Sequence, residues 1–334
     1  MPANTSPRLA PRRRCLVVPL LLAAAGVLAA PCASAQTAPW PTRPVRVIVP
    51  FAPGGPPDLI ARLVSPKLGE LLGQTILVEN RSGAGGNIGT LAVAKSPADG
   101  YTVLLTSSAF AVNTNFPESG YSAEKDFLAV NLVAAQPNVL VVHPSLPVKT
   151  LPELLTYARD QKLAFATPGS GTTPHLTGEN LFNVEAKLGL PAAHFRGAGP
   201  AVAAVMGSEP PVGFAALAAP LQAIKSGRLR ALAVSSEKRQ PLLPDVPTLA
   251  ELGYPAMLDY TWVGVFVPAG TPPAVVARLD DAFQRVLKDP DIRQRIQATA
   301  FEILADPPTR AADYVKSEVV RWGNLVRKIG IKPE

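Results

Sequence analysis

The chain has 334 residues, 47% hydrophobic and 17% charged, with a formal net charge of +7. That balance excludes a disordered protein, and a count of two cysteines excludes a disulfide-stapled scaffold. The length suits two domains, each with its own core.

Residues 1–35 read as an export signal. Arg8, Arg12, Arg13 and Arg14 make a basic start, residues 15–30 an apolar run short of a membrane span, and Ala33-Ser34-Ala35 a small-x-small cleavage site. Arg12-Arg13 also suits the twin-arginine route, and Pro31 opposes a lipid anchor on Cys32. Cleavage removes Cys15, Cys32 and four of the 32 basic residues, which leaves 28 against 25 acidic ones and a net charge of +3. The basic pI therefore belongs to the leader and is poor evidence for nucleic acid. No later apolar run reaches membrane length.

The mature part opens with strand-turn-helix units. Val45–Val49 is β-branched and apolar, as in a buried parallel strand. Pro50-Phe51-Ala52-Pro53-Gly54-Gly55 breaks it, and a helix is predicted over 57–72 from its apolar stripe, with Gly73 as C-cap. A strand over 76–79, a glycine-rich turn, a helix over 88–95 and a strand over 102–106 ending in Ser107-Ser108 follow. The pattern predicts an α/β fold, a parallel sheet with helices on both faces. Residues 132–142, two apolar pieces joined by Gln136-Pro137-Asn138, mark a change of domain. Beyond it we expect helices over 151–159 and 176–182, and strands over 163–166, 193–196, 212–214 and 229–234. A return strand over 262–267 and helices over 273–287 and 311–329 complete the chain. The expected organisation is 36–137 and 262–334 in a first domain and 138–261 in a second, with a hinge and a cleft between them.

Two turns point to a ligand. Phe51, Ala52, Pro53, Gly54 and Gly55 lie where a strand's carboxyl end meets a helix start, an anion-binding place in open α/β sheets. Asp58 reads as a first-turn acid that favours the helix dipole. The second turn, Gly169, Ser170, Gly171, Thr172 and Thr173 up to His175, offers hydroxyls and main-chain donors at another helix start; His175 itself reads as a structural hydrogen-bonding residue. Neither 50–57, 107–116 nor 167–175 contains Lys or Arg, and Arg196 nearby reads as a surface side chain. Binding thus falls to dipoles and hydroxyls.

Other chemistry finds little support. Gly83-Ala84-Gly85-Gly86-Asn87-Ile88 fails the dinucleotide pattern at Ile88, and no acid ends the next strand. The histidines are His143, His175 and His194, none at helical ligand spacing, so no metal is expected. Ser170 lies between two glycines, outside a nucleophile elbow, so an exported hydrolase has little behind it. We expect neither enzyme nor cofactor.

The order of motifs resembles the Bug-type extracytoplasmic solute receptors of tripartite tricarboxylate transporters. The matching blocks are Trp40-Pro41-Thr42-Arg43-Pro44 into Pro53-Gly54-Gly55, Val78-Glu79-Asn80-Arg81-Ser82-Gly83 into Gly89, Asp99-Gly100-Tyr101-Thr102, Gly169-Ser170-Gly171 with His175-Leu176, Leu243-Pro244-Asp245-Val246-Pro247-Thr248, and Pro268-Ala269-Gly270-Thr271-Pro272. The resemblance implies a type II periplasmic binding protein. It implies a small organic carboxylate held by the two turns, permease subunits as partners, and a periplasmic location. Ser107, Ser108, Asn113, Phe214 and Ala215 are nominated by position for the distal end of the ligand. Residues 207–213 lack the family's usual aspartate; with Phe110, Phe214 and Leu217 near, an apolar or aromatic far end stands beside a second carboxylate, and the sequence leaves both open. A sensor kinase as alternative partner stays open, and a monomer is the default.

Overall fold

The computed structural model describes residues 1–3 and 40–331; the export signal from residue 4 onward, its cleavage site and both cysteines lie outside them. Strand β1 (Val45–Val49) is buried along nearly its whole length. Helix α1 (Pro56–Leu72) follows, with proline at its first two positions, where the missing N–H groups are no loss to the helix. Ile60, Val64 and Leu68 form its fully buried stripe, each contributing roughly 1.5–3 kcal/mol by burial. Gly73 ends it in the left-handed region at φ 72° and donates its N–H to Gly69 O. Edge strand β2 (Ile76–Asn80), α2 (Asn87–Ala94), β3 (Thr102–Ser107) and the short α3 (Ala109–Asn113) continue the pattern.

The centre of the molecule is β4 (Phe127–Val142), one strand of 16 residues where the sequence had two apolar pieces. After it come α4 (Leu151–Tyr157), β5 (Phe165–Thr167) and α5 (Thr173–Glu179), which runs on as a π-helical turn, Asn180–Glu185. Next are β6 (Ala192–His194), α6 (Ala198–Met206), β7 (Val212–Ala216), α7 (Leu221–Lys225) and β8 (Arg230–Val234). The chain then returns through β9 (Tyr260–Pro268) to α8 (Pro273–Lys288), α9 (Pro290–Gln297), β10 (Glu302–Asp306) and α10 (Pro308–Ile329).

The sheet order is β2-β1-β3-β9-β4-β7-β5-β6, with β8 and β10 also on β4. The sheet is mixed, a correction to the all-parallel expectation. β1, β2 and β3 are mutually parallel, as are β5, β6 and β7, but β9 runs antiparallel to both β3 and β4. The cause is the return strand, which re-enters the sheet between β3 and β4. β4 pairs with β9 as far as Pro137↔Tyr260 and with β7 from Asn138↔Ala216 onward. Pro137 has no N–H to give, and it sits where the partner changes.

This topology places the cleft. β1 and β3 run along β4 in its own direction, toward residue 137; β5 and β7 run against it, toward residue 138. The carboxyl ends of both sets therefore converge at the exchange point, where ligands of α/β sheets bind. Separate apolar clusters cover the two faces on each side. Val47, Ile60 and Phe283 belong to one, Leu104, Phe110 and Trp322 to the next, Leu140, Phe165 and Phe214 to a third, and Val141, Val202 and Leu221 to the fourth.

Candidate functional site

The loop after β1 owes its shape to one buried carboxylate. Asp58 Oδ2 accepts the Gly54 N–H at 3.0 Å, Arg62 Nε donates to both oxygens at 3.0 and 3.1 Å, and Asn80 Nδ2 donates to Oδ1 at 2.9 Å. Asn80 also bonds Phe51 O at 3.0 Å, so the turn is pinned at both ends. Burial pushes the Asp58 carboxyl up, but the hydrogen bonds from Arg62, Gly54 and Asn80 outweigh it and hold it below the usual carboxylate range. The main-chain donors of this turn are therefore fewer than its helix start suggests. Gly54 N–H is committed to Asp58, and Pro56 and Pro57 have none.

Opposite lie the loops after β5 and β6. Ala52 N–H donates to Arg196 O at 2.9 Å across the gap. Gly85 and Gly171, at φ 60° and 70°, let the faces touch: a Cβ on Gly85 would run into Ser170 O, and one on Gly171 into Asn113 Oδ1. Asn113 Nδ2 donates to Gly85 O at 3.0 Å. The two faces are shut on each other.

Between them a cavity of about 30 Å³ remains, room for one or two waters. Phe51, Gly55, Ser107, Ser108, Thr172 and Thr173 line it, so six sequence-nominated residues meet there; no charged side chain does. Pro56, Pro57, Pro168, Pro174, Ala198, Ala216 and Thr261 complete the wall. Phe51 and Pro168 divide this space from an outer one of about 170 Å³, bounded by Gly83, Ala84, Gly85, Gly86, Gly169, Ser170, His194, Phe195 and Arg196. An open groove of about 860 Å³ runs along edge strand β2, lined by Arg62, Ser65, Gln74 and Thr75 among others, and none of the sequence-nominated residues lines it.

The other nominations fall elsewhere. Ala52, Pro53 and Gly54 form the rim against residues 196–199. His175 is 3% exposed behind the second loop, where its Nδ1 accepts the Gly171 N–H at 3.2 Å. Its proton is therefore on Nε2, 3.8 Å from Glu179 Oε1. Burial, with the edge-on His194 ring adding, pulls its pKa down to about 3, so this neutral ring makes no ion pair with Glu179. Phe214 and Ala215 do not line the cavity: both side chains pack into the cores on the two faces of β7, and Ala216 at the strand end takes the wall position. Phe110 and Leu217 are likewise core residues, so the expected aromatic lining reduces to Phe51.

Behind the cavity is a buried polar network that the sequence reading missed. Thr261 Oγ1 donates to Asn138 Oδ1 at 2.7 Å, and Asn138 Nδ2 and Thr177 Oγ1 donate to Asp259 Oδ2 at 2.5 and 2.7 Å. Ser235 Oγ donates to Asp259 O and accepts the Asn138 N–H. Both chain crossings, at 138 and at 259–261, are tied together here. Burial, with the Glu318 charge adding to it, pushes the Asp259 carboxyl up to about 6 against the pull of Thr177, Arg321 and Asn138. Among the described residues no cluster of His, Cys, Asp or Glu could hold a metal ion, and no helix is long and apolar enough to cross a membrane.

The model of the tripartite tricarboxylate transporter family receptor matches residues 60–331. Protein BugT of Bordetella pertussis is 38% identical over 321 residues, 95% of this chain and 97% of that one. Among solved structures, the periplasmic binding protein BugD aligns with a TM-score of 0.85 at 33% identity, covering 88% of this chain and 100% of its own. Rpa4515 of R. palustris, solved with adipate, aligns at 0.84 and 33%, covering 88% and 100%. MatC of Rhodopseudomonas palustris, solved with malate, aligns at 0.81 and 32%, covering 86% and 100%. A family match across most of the chain, joined to a periplasmic-binding-protein fold with a shut cleft at its strand ends, makes this chain a Bug-type member of the tripartite tricarboxylate transporter receptor family, a solute-binding protein and not an enzyme.

Proposed function

We propose that the protein captures a small organic carboxylate in the periplasm and delivers it to the permease subunits of a tripartite transporter. Capture is by closure of two lobes, residues 40–137 with 262–331 against 138–261, about the crossings at 137/138 and 259–261. The partner exchange of β4 at Pro137/Asn138 supports that division. The carrying observation is the cavity itself, with hydroxyls and loop main chain converging at the strand ends and no charged side chain in its wall. Adipate and malate in two relatives of matching fold support a carboxylate as the ligand. Hydroxyl and amide hydrogen bonds of about 0.5–1.5 kcal/mol each, several together, reach the roughly −8 kcal/mol of micromolar binding.

A thermal-shift screen of mono- and dicarboxylates tests this. A ligand at 100 times its dissociation constant adds about 2.7 kcal/mol of stability and raises the melting temperature. A flat response to every carboxylate removes the proposal.

A further inference from the structure

A chain of buried hydrogen bonds runs from the strand junction to the cavity, and proton counting fixes its direction. Asp259, 2% exposed, accepts from Asn138 Nδ2 at 2.5 Å and from Thr177 Oγ1 at 2.7 Å. An ionised carboxylate only accepts, so Asn138 turns its nitrogen to it and its Oδ1 away. Thr261 donates to that Oδ1 at 2.7 Å. A hydroxyl has one proton, so Thr261 Oγ1 accepts from Thr173 Oγ1, 3.0 Å away. The Thr173 proton is then committed, and Thr173 accepts from Ser108 Oγ at 3.2 Å and from Asn138 Nδ2 at 3.4 Å. Ser108 Oγ is left with lone pairs alone. Its residue is 1% exposed and lines the cavity beside Thr173 and Thr261, and its main-chain N–H is held by Trp262 O at 3.1 Å.

We propose that the cleft selects an organic acid bearing a hydrogen-bond donor, hydroxyl or ammonium, and that Ser108 Oγ is the acceptor that reads it. The inference rests on the carboxylate-receptor reading above. A bare aliphatic acid sets a methylene or a second carboxylate oxygen against the Ser108 lone pairs, which leaves a buried acceptor unsatisfied or repelled. Ser108 and Thr173 belong to opposite sides of the cleft, so this last link forms when the cleft shuts and the polarity is imposed on the closed form.

Calorimetry with matched acids tests it: lactate and alanine against propionate, and malate against succinate. In at least one series the acid with the donor binds about tenfold tighter or more than its unsubstituted partner, and lactate against alanine tells hydroxyl from ammonium. Ser108→Ala takes away both the acceptor and the penalty it sets on a bare acid, so the ratio between the two acids falls toward one. Thr261→Val frees the Thr173 proton to turn to Ser108, which can then donate, so the preference falls toward one with Ser108 still present. Equal binding of donor and unsubstituted acids in every series, or a ratio unchanged by both variants, overturns the proposal and leaves the carboxylate reading standing. Binding of none of these acids, with no carboxylate raising the melting temperature, takes away both.

Discussion

Two buried groups behind the cleft titrate in opposite directions. His175 has its pKa lowered to about 3, so between there and the ordinary 6.5 the unfolded chain binds a proton that the folded one refuses. Stability from this group is lost as pH falls through that window, at up to about 1.4 kcal/mol per pH unit. Asp259 is raised to about 6 from an unfolded 3.8, so between those values the folded state holds the extra proton, and stability is lost as pH rises. From pH 4 to 6 the two slopes oppose each other. Glu318 and Arg321 are the charged groups that act on Asp259, in opposite directions, and burial is the largest cause of its shift. We expect Asp259→Asn to unmask the histidine: its melting temperature falls from pH 6 to 4 more steeply than that of the natural protein. His175→Asn, which keeps an acceptor for the Gly171 N–H, gives a melting temperature that rises over the same interval. Melting curves at half-unit steps read both, and parallel curves for all three proteins would show that neither group titrates as described.

At the scale of elements, the proposed closure depends on glycine at two contact points. Gly171 is in the left-handed region and its missing Cβ is where Asn113 Oδ1 lies. Gly171→Ala costs about 1–3 kcal/mol of local strain, and it also holds the faces apart. Carboxylate affinity should fall more than tenfold. Adding Asn113→Ala, which gives up one bond to Gly85 O, should restore part of it; titration of both variants decides, and no rescue means that the loss is strain within the loop alone. Such contacts mark the limit of what the sequence disclosed. Val45–Val49, the stripe of α1 and the Gly73 cap were legible because each is encoded within a few neighbouring residues. The loops at 50–55 and 168–173 were legible for the same reason. Helices as short as Ala109–Asn113 and Leu221–Lys225 have too few turns to show a period. On β7 the period-2 pattern gives the faces and not which residue reaches the cleft, so Phe214 and Ala215 stood in for Ala216. Thr261 and Asn138 are 123 positions apart, and no local pattern joins them.

For the whole molecule, the proposed hinge motion sorts the bonds into those it keeps and those it breaks. Asn138, Ser235, Asp259 and Thr261 all lie at the crossings and hold one another, so this knot moves as a unit. Ala52 to Arg196 and Ser108 to Thr173 span the cleft and must open to admit a ligand, because about 30 Å³ does not hold an organic acid. The exposed Lys328–Glu185 pair at 3.4 Å also spans the two lobes; each hydrogen bond is worth about 0.5–1.5 kcal/mol and the exposed pair less. Without ligand, open forms should be well populated, and a ligand that bridges both loops shifts the population toward the shut form. Small-angle scattering reads this directly. A compact chain of ~300 residues has a radius of gyration of about 19 Å. The ligand-free protein should exceed the value it takes at saturation, and Gly171→Ala should stay at the larger value when the same acid is added. An unchanged radius on saturating the natural protein would mean that the lobes do not move.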